Sequence, residues 1–362
     1  MQRYIRGTKC KGLAVESQLV LSLLDGMPWP AMIIDQTDQI VASNALAKSL
    51  FGPGIEGRHY ILTLRQPGLL EAIETTLKDR APTQARHVIT GPSREITYRV
   101  QISPVAGEGQ RGALCVFEDI SDVEQMGQIR RDFVANVSHE LRTPLTALLG
   151  FIETLRGAAR DDPAARERFL GIMEREAGRM NRLVRDLLHL SRVEGEERMR
   201  PTEQVDLAAL INMAVSALKP VADAAGVSVR VMGEAGPIKL PADADQMTQV
   251  FHNLIENAIK YGAMGKVVTI AISRDAPGAS LRGHAVRVEV IDQGEGIDEL
   301  HLPRLTERFY RVDSHRSREK GGTGLGLAIV KHIINRHRGH FRIESELGKG
   351  SVFTVILPET KD

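Results

Sequence analysis

A histidine beside a carboxylate, on a helix whose apolar side points elsewhere, has the position of a nucleophile held at a surface, and equally that of an ordinary exposed histidine. In "DFVANVSHELRTPLTALLGFIETL", residues 132–155, apolar residues recur at Phe133, Val137, Leu141, Leu145, Leu148, Ile152 and Leu155, spaced by four or three. That spacing predicts a helix with one buried stripe. His139 lies about 200° around the helix from Val137 and from Leu141, so it faces away from the stripe, next to Glu140. A neutral imidazole is nucleophilic at one ring nitrogen without needing a strong base. Pro144 follows five residues later and removes a backbone hydrogen bond, so a bend is expected there.

Three further motifs suit a nucleotide. In "NLIENAIKY", Asn253, Asn257 and Lys260 (or Tyr261) share one helix face, with Glu256 beside it. Amide oxygens with a carboxylate nearby suit a hard cation that keeps its waters and bridges phosphates, which is Mg²⁺. The same spacing also describes an ordinary polar helix face. In "DQGEGI", Asp292 ends a strand and can accept from an exocyclic amine, while Gly294 and Gly296 let a flat ring approach the backbone. A tight turn has the same composition. In "GGTGLGLAIV", Gly321, Gly322, Gly324 and Gly326 open a helix whose free N–H groups suit a polyphosphate. The charged, aperiodic "ERFYRVDSHRSREKGG" before it reads as a mobile lid.

Two decoys fail. Glu344 lies twenty residues beyond Gly324, as in a dinucleotide fingerprint, but that fingerprint needs a strand immediately before its glycines. No GxxxxGK followed by Ser or Thr occurs, so a P-loop is excluded. His332, His337 and His340 read as a helix end stopped by Gly339 rather than as metal ligands, and His59 and His87 as ordinary histidines.

The elements that must position these groups follow from the changing period. Residues 1–20 form an N-terminal segment, and 21–120 read as a small α/β unit with strands in "AMIIDQTDQIVASNA", "ITYRVQISPV" and "RGALCVFEDI". From about 122 to 157 the period becomes helical. Asp162 and Pro163 then start a second helix carrying Phe169, Met173, Ala177, Met180, Val184, Leu187 and Ser191. Two narrow stripes make an antiparallel hairpin over 121–195 that is completed by a second copy in a four-helix bundle, hence an expected homodimer. Residues 196–362 mix helices and strands as a two-layer α/β sandwich, making the whole a multidomain α+β chain. The 362 residues carry 47 basic and 46 acidic side chains, so no basic field calls for nucleic acid. Two distant cysteines fit a reducing cytoplasm, and "GLAVESQLVLSLL" is too short and polar to span a bilayer.

"NVSHELRTPLTALLGF", "NLIENAIKY", "DQGEGI", "ERFYRVD" and "GTGLGLAIVKHI" occur in the order and spacing of the sensor histidine kinases of two-component systems, which the chain resembles over about 125–360. Residues 21–120 resemble a PAS sensor domain, and the His139 segment is especially similar to the phosphate-regulon sensor kinases. The resemblance implies an ATP-binding domain of the GHKL type and autophosphorylation of His139 from Mg-ATP. It also implies transfer to an aspartate of a response-regulator receiver domain. It makes Glu140 the partner of the other imidazole nitrogen, and Thr143 a residue that orients water for removing phosphate from that aspartate. Asn257 then holds Mg²⁺, with Glu256 near the metal waters and Asn253, Lys260 and Tyr261 around the phosphates. Asp292 reads adenine, Gly294 and Gly296 line the base, and the segment Gly322, Thr323, Gly324, Leu325 and Gly326 covers the phosphates. Phosphate-regulon sensor kinases are generally membrane-anchored, so a membrane link is expected only through an anchor outside this sequence. The rivals are a GHKL ATPase without phosphotransfer and a PAS interaction module with an inactive kinase half.

Overall fold

The computed structural model describes residues 19–91, 95–107, 110–197, 199–233, 236–262, 266–275, 284–313 and 322–359. The chain divides into two compact units, Met1–Val134 and Ala135–Asp362.

The first unit is built on five antiparallel strands: β1 (Ala31–Asp35), β2 (Ile40–Ser43), β3 (Thr83–Thr90), β4 (Glu95–Gly107) and β5 (Gln110–Asp119), in the order β2-β1-β5-β4-β3. Helices α1 (Ala45–Phe51), α2 (Tyr60–Thr63) and α3 (Pro67–Asp79) connect β2 to β3. Asn44 caps α1: its Oδ1 accepts from the Ala47 and Ala31 N–H groups at 2.9 and 3.0 Å. Its amide donates to the Leu24 and Trp29 carbonyls, so one buried polar side chain ties the first strand to the helix. Alternate residues of β1, β4 and β5 (Met32, Ile34, Val100, Ile102, Cys115, Phe117) point into a core filled by Tyr60, Leu69 and Ile73. His87 is buried there, its ring packed on Phe51 and Phe117. His59 instead caps α2, its Nδ1 accepting the Ile61 N–H at 3.4 Å.

Helix α4 (Ser121–Arg156) continues through Pro144, and α5 (Pro163–Glu196) starts where Asp162 and Pro163 place it. The Asp162 carboxylate accepts from both Ala164 and Ala165 N–H at 3.0 Å. Within one chain the expected stripe on α4 divides between two rows. In the second unit Pro144 is buried, and Leu141, Leu148, Phe151 and Leu155 are half-buried beside it, with Phe151 stacked on Phe169 of α5. Leu145, Leu149 and Ile152 form a separate exposed row. Helix α5 divides likewise. Its buried residues are Leu183, Leu190 and Val193, whereas Ala177, Val184 and Ser191 of the expected stripe lie exposed. The physical reason is that α5 packs on two neighbours, so its apolar residues spread over more than one face.

The remainder is a sandwich. Strands β7 (Ser228–Gly233), β9 (Val267–Asp275), β10 (Ala285–Asp292), β11 (His340–Glu346) and β12 (Gly350–Pro358) form one sheet in the order β11-β12-β10-β9-β7, antiparallel except for β7–β9. Short strands β6 (Gln204–Asp206) and β8 (Lys239–Pro241) pair separately. Helices α6 (Leu207–Ala225), α7 (Ala244–Gly262) and α8 (Gly326–Arg336) supply the second layer. Among the described residues α6 alone is long and apolar enough to cross a membrane. It buries Leu207, Ile211, Ala214, Leu218 and Ala222, as a core helix does. The end of α8 also corrects the sequence reading. Arg338, with φ 57°, takes the left-handed position, and Gly339 is required because a Cβ there would lie 2.5 Å from the Ile356 carbonyl oxygen.

Candidate nucleotide site and phospho-acceptor

Helix α7 presents opposite faces to opposite tasks. Met247, Val250, Phe251, Leu254, Ile255, Ala258 and Ile259 are buried in the sandwich. Gln249, Asn253, Glu256, Asn257 and Lys260 fall on the other face and line a cavity of about 480 Å³, with Tyr261 at the helix end. Asn253 is held firmly: its amide donates to the Gly326 carbonyl at 3.2 Å, and its Oδ1 accepts from Gln249 at 2.8 Å. It thereby fastens the glycine segment to α7. Glu256 pairs with Lys260 at 2.9 Å. Asn257 lies one helical turn beyond Asn253 and makes no side-chain hydrogen bond among the described residues, so its amide oxygen is available to a ligand.

The cavity floor comes from the end of β10. Asp292 is buried, and its Oδ1 accepts the Gly294 N–H at 2.9 Å. Burial pushes its carboxyl up from the ordinary range, against the lowering effect of hydrogen bonds from Gly294 and Ser351. Gly296 is on the cavity wall; Gly294 is not. Gly294 serves packing, since a Cβ there would approach the Tyr261 carbonyl oxygen to 2.6 Å. The ends of α7 and β10 can meet only without it.

Gly322, Thr323, Gly324 and Gly326 close another side, while Leu325 is buried beneath them. Gly324 has φ 75° and lies against the Phe309 backbone. Gly321 and residues 314–321 of the expected lid lie outside the described residues. The fourth side is a surprise to sequence reasoning. Arg182, Arg185, Asp186 and His189 of α5, at helical spacing, face the same cavity. Thr323 donates its hydroxyl to Asp186 Oδ2 at 2.7 Å, and the Leu325 N–H donates to Thr323 Oγ1 at 3.3 Å.

His139, Glu140 and Thr143 stand outside the cavity wall on α4. His139 is exposed, as its position off the stripe requires. Thr143 donates its hydroxyl to the His139 carbonyl at 3.1 Å. Glu140 is half-buried, and its Oε2 accepts from Arg179 of α5 at 2.7 Å and from Arg311 at 3.1 Å. Arg311 comes from the segment that also lines the cavity, and its side chain is only 7% exposed. The residue beside the histidine is therefore bonded directly to a residue of the cavity wall. Arg179 has no local sequence signature, and although Arg311 lies in "ERFYRVD", nothing local shows its pairing with Glu140, since the partner lies 39 and 171 residues away respectively.

A family model described as "Histidine kinase-, DNA gyrase B-, and HSP90-like ATPase" matches residues 242–361, and "His Kinase A (phospho-acceptor) domain" matches residues 129–196. The chain is 34% identical over its whole length to the sensor-like histidine kinase SenX3 of Mycolicibacterium smegmatis, covering 91% of that protein. It is 43% identical over 68% of its length to the phosphate regulon sensor protein PhoR of Pseudomonas aeruginosa, of which it spans about half, 54%. Among solved structures, the histidine kinase ThkA in complex with response regulator protein TrrA matches with a TM-score of 0.48 at 20% identity, covering 94% of this chain and 98% of that one. With its phospho-acceptor helices and GHKL-type ATP-binding sandwich, the chain belongs to the sensor histidine kinases.

Proposed function

We propose that His139 takes the γ-phosphoryl group of Mg-ATP and passes it to an aspartate of a response-regulator receiver domain. The observation that carries this reading is the bond from Arg311 to Glu140, which ties the cavity wall to the carboxylate beside an exposed histidine. The neutral imidazole nitrogen attacks phosphorus, the bond to the ADP oxygen breaks, and ADP leaves. The imidazolium that forms then sheds its other ring proton. Glu140 is the adjacent base for that proton once its arginine partners release it. Lys260 and the N–H groups of the glycine segment neutralise charge on the transferring oxygens. Mg²⁺ fits the donors present, an uncommitted Asn257 amide and a nearby Glu256 carboxylate, and when bound it supplies charge neutralisation between the phosphates. Asp292 accepts from the adenine amine.

The acting species is a homodimer. Leu145, Leu149 and Ile152 of α4 and Leu170, Val184 and Leu188 of α5 are exposed apolar residues at helical spacing, and pairing two hairpins into a four-helix bundle covers them. Leu149→Glu is expected to give monomers in sedimentation, whereas an unchanged dimer would count against this interface. By likeness to the Pseudomonas protein, the signal served is phosphate supply, and the kinase half works in the cytoplasm, where ATP is.

Incubation with γ-labelled ATP and Mg²⁺ tests the central step. Label that is lost in acid, survives alkali and disappears in His139→Gln is the expected result. Steady phosphate release from both proteins, with no label retained, would replace the kinase by a plain ATPase.

A further inference from the structure

The helical hairpin places a carboxylate where the nucleotide's phosphates are expected. Asp186 sits on the α5 face that looks into the cavity, between Arg182 and His189. Its Oδ2 takes the hydroxyl hydrogen of Thr323 at 2.7 Å, across 137 residues of sequence. Thr323 is only 9% exposed and receives the Leu325 N–H at 3.3 Å, just before α8 begins. The Asp186 carboxylate thus engages, through Thr323, the start of a helix whose N–H groups favour an anion.

We propose that Asp186 is a positioning residue that competes with the phosphates of ATP for Thr323. The inference rests on the reading of Gly322–Gly326 as the phosphate cover. Two features of the surroundings support it. Glu256 faces the same cavity and acts on Asp186, so a polyphosphate arriving beside Thr323 meets the negative charge of both. Burial, helped by Glu256, raises the Asp186 carboxyl above the ordinary range despite the lowering effects of the Thr323 hydroxyl, His189 and Arg185. Its charge is already costly before any phosphate enters. Arg182 and Arg185 attract phosphate whether or not Asp186 is present, so they do not obscure its effect.

The consequence is linkage. With α5 lying against α8, Thr323 belongs to Asp186; when phosphates take the hydroxyl, that tie between hairpin and ATP-binding sandwich is lost. Because coupling is reciprocal, anything that presses the hairpin onto the sandwich weakens ATP binding by the same factor.

Titration calorimetry on the full-length chain, with a non-hydrolysable Mg-ATP analogue and separately with adenosine, tests this. Asp186→Ala, which removes acceptor and charge, is expected to bind the analogue about five- to tenfold more tightly. Asp186→Asn, which keeps an acceptor oxygen, is expected to fall between it and the parent. Adenosine, which carries no phosphate, is expected to bind all three proteins equally. Unchanged or weaker analogue binding in Asp186→Ala would overturn the competition, as would equal tightening for adenosine, which marks a general structural change. A parent protein that binds adenosine but gains nothing from the phosphates would overturn the reading of the glycine segment, and this inference with it.

Discussion

The first unit and the ATP-binding sandwich each carry a five-stranded sheet with helices packed against it, yet they use buried polar groups differently. In the first, Asn44 spends its side chain on tying β1 to α1, and Thr76 hydrogen-bonds with Thr83. The interior is filled by Tyr60, Phe117, Met32 and Leu69. In the sandwich, Asn253, Asp292 and Thr323 converge on the rim of a cavity. Similar layers therefore serve as a packed body in one unit and as a binding site in the other. The sheets also differ in topology, one wholly antiparallel and one with a parallel β7–β9 pair, but it is the polar side chains at one open end of the second sheet that face the cavity.

The largest effect that sharpens this contrast is expected from the packed body. Phe117 lies among Phe51, His87 and Tyr98, with ring centroids 5.0 to 6.4 Å away. Phe117→Ala should cost the first unit about 3–5 kcal/mol in denaturant unfolding. ATP affinity should be unaffected, and a parallel loss of nucleotide binding would break the separation of tasks. At the open end, Asn257→Ala should lower the autophosphorylation rate about a hundredfold while leaving the melting temperature near that of the parent. A collapse in stability instead would make Asn257 a packing residue. Thr143→Ala is expected to weaken dephosphorylation of the receiver about tenfold more than autophosphorylation, a difference of about 1.4 kcal/mol. Equal loss of both activities would return Thr143 to its visible role of bonding the His139 carbonyl.

The smallest effect concerns pH. His337 is buried, donates from Nδ1 to the Ile333 carbonyl at 2.7 Å, and accepts the Asp243 N–H on Nε2 at 3.0 Å. Burial holds its pKa below the ordinary value; the Ile333 bond and Asp243 oppose this, while Arg336 and Arg200 reinforce it. The folded state therefore binds fewer protons than the unfolded state in the window below about pH 6.5. The stabilisation is present above that pH and lost as pH falls through the depressed value. Melting curves from pH 8 to 5 should show a shallow decline that flattens in His337→Gln. An identical decline in the variant would place the titrating group elsewhere.

Much of this was legible in the sequence where a single element carries the message. The cap at Asp162 and Pro163, the position of His139 off the stripe, and the polar face of α7 all follow from local spacing. Strand β3 and helix α3 were harder. "TQARHVIT" mixes polar and apolar residues because its side chains are mostly half-buried or exposed, so its alternation is weak. The two-faced nature of α4 and α5 escaped a one-stripe reading, because a helix between two partners spreads its apolar residues around its circumference. Arg179 and Asp186, and the pairing of Arg311 with Glu140, were invisible for another reason. Each matters through a partner on a different element, and a pairing across tens of residues leaves no period to read.

The most direct test of the account is to locate the phosphoryl group. The full-length protein would be incubated with Mg-ATP, digested under alkaline conditions that preserve a phosphorus–nitrogen bond, and fragmented by tandem mass spectrometry. The account predicts one modified peptide, with the phosphoryl group on His139. A phosphoryl group on any other residue, or an unmodified protein that nonetheless consumes ATP, would contradict it.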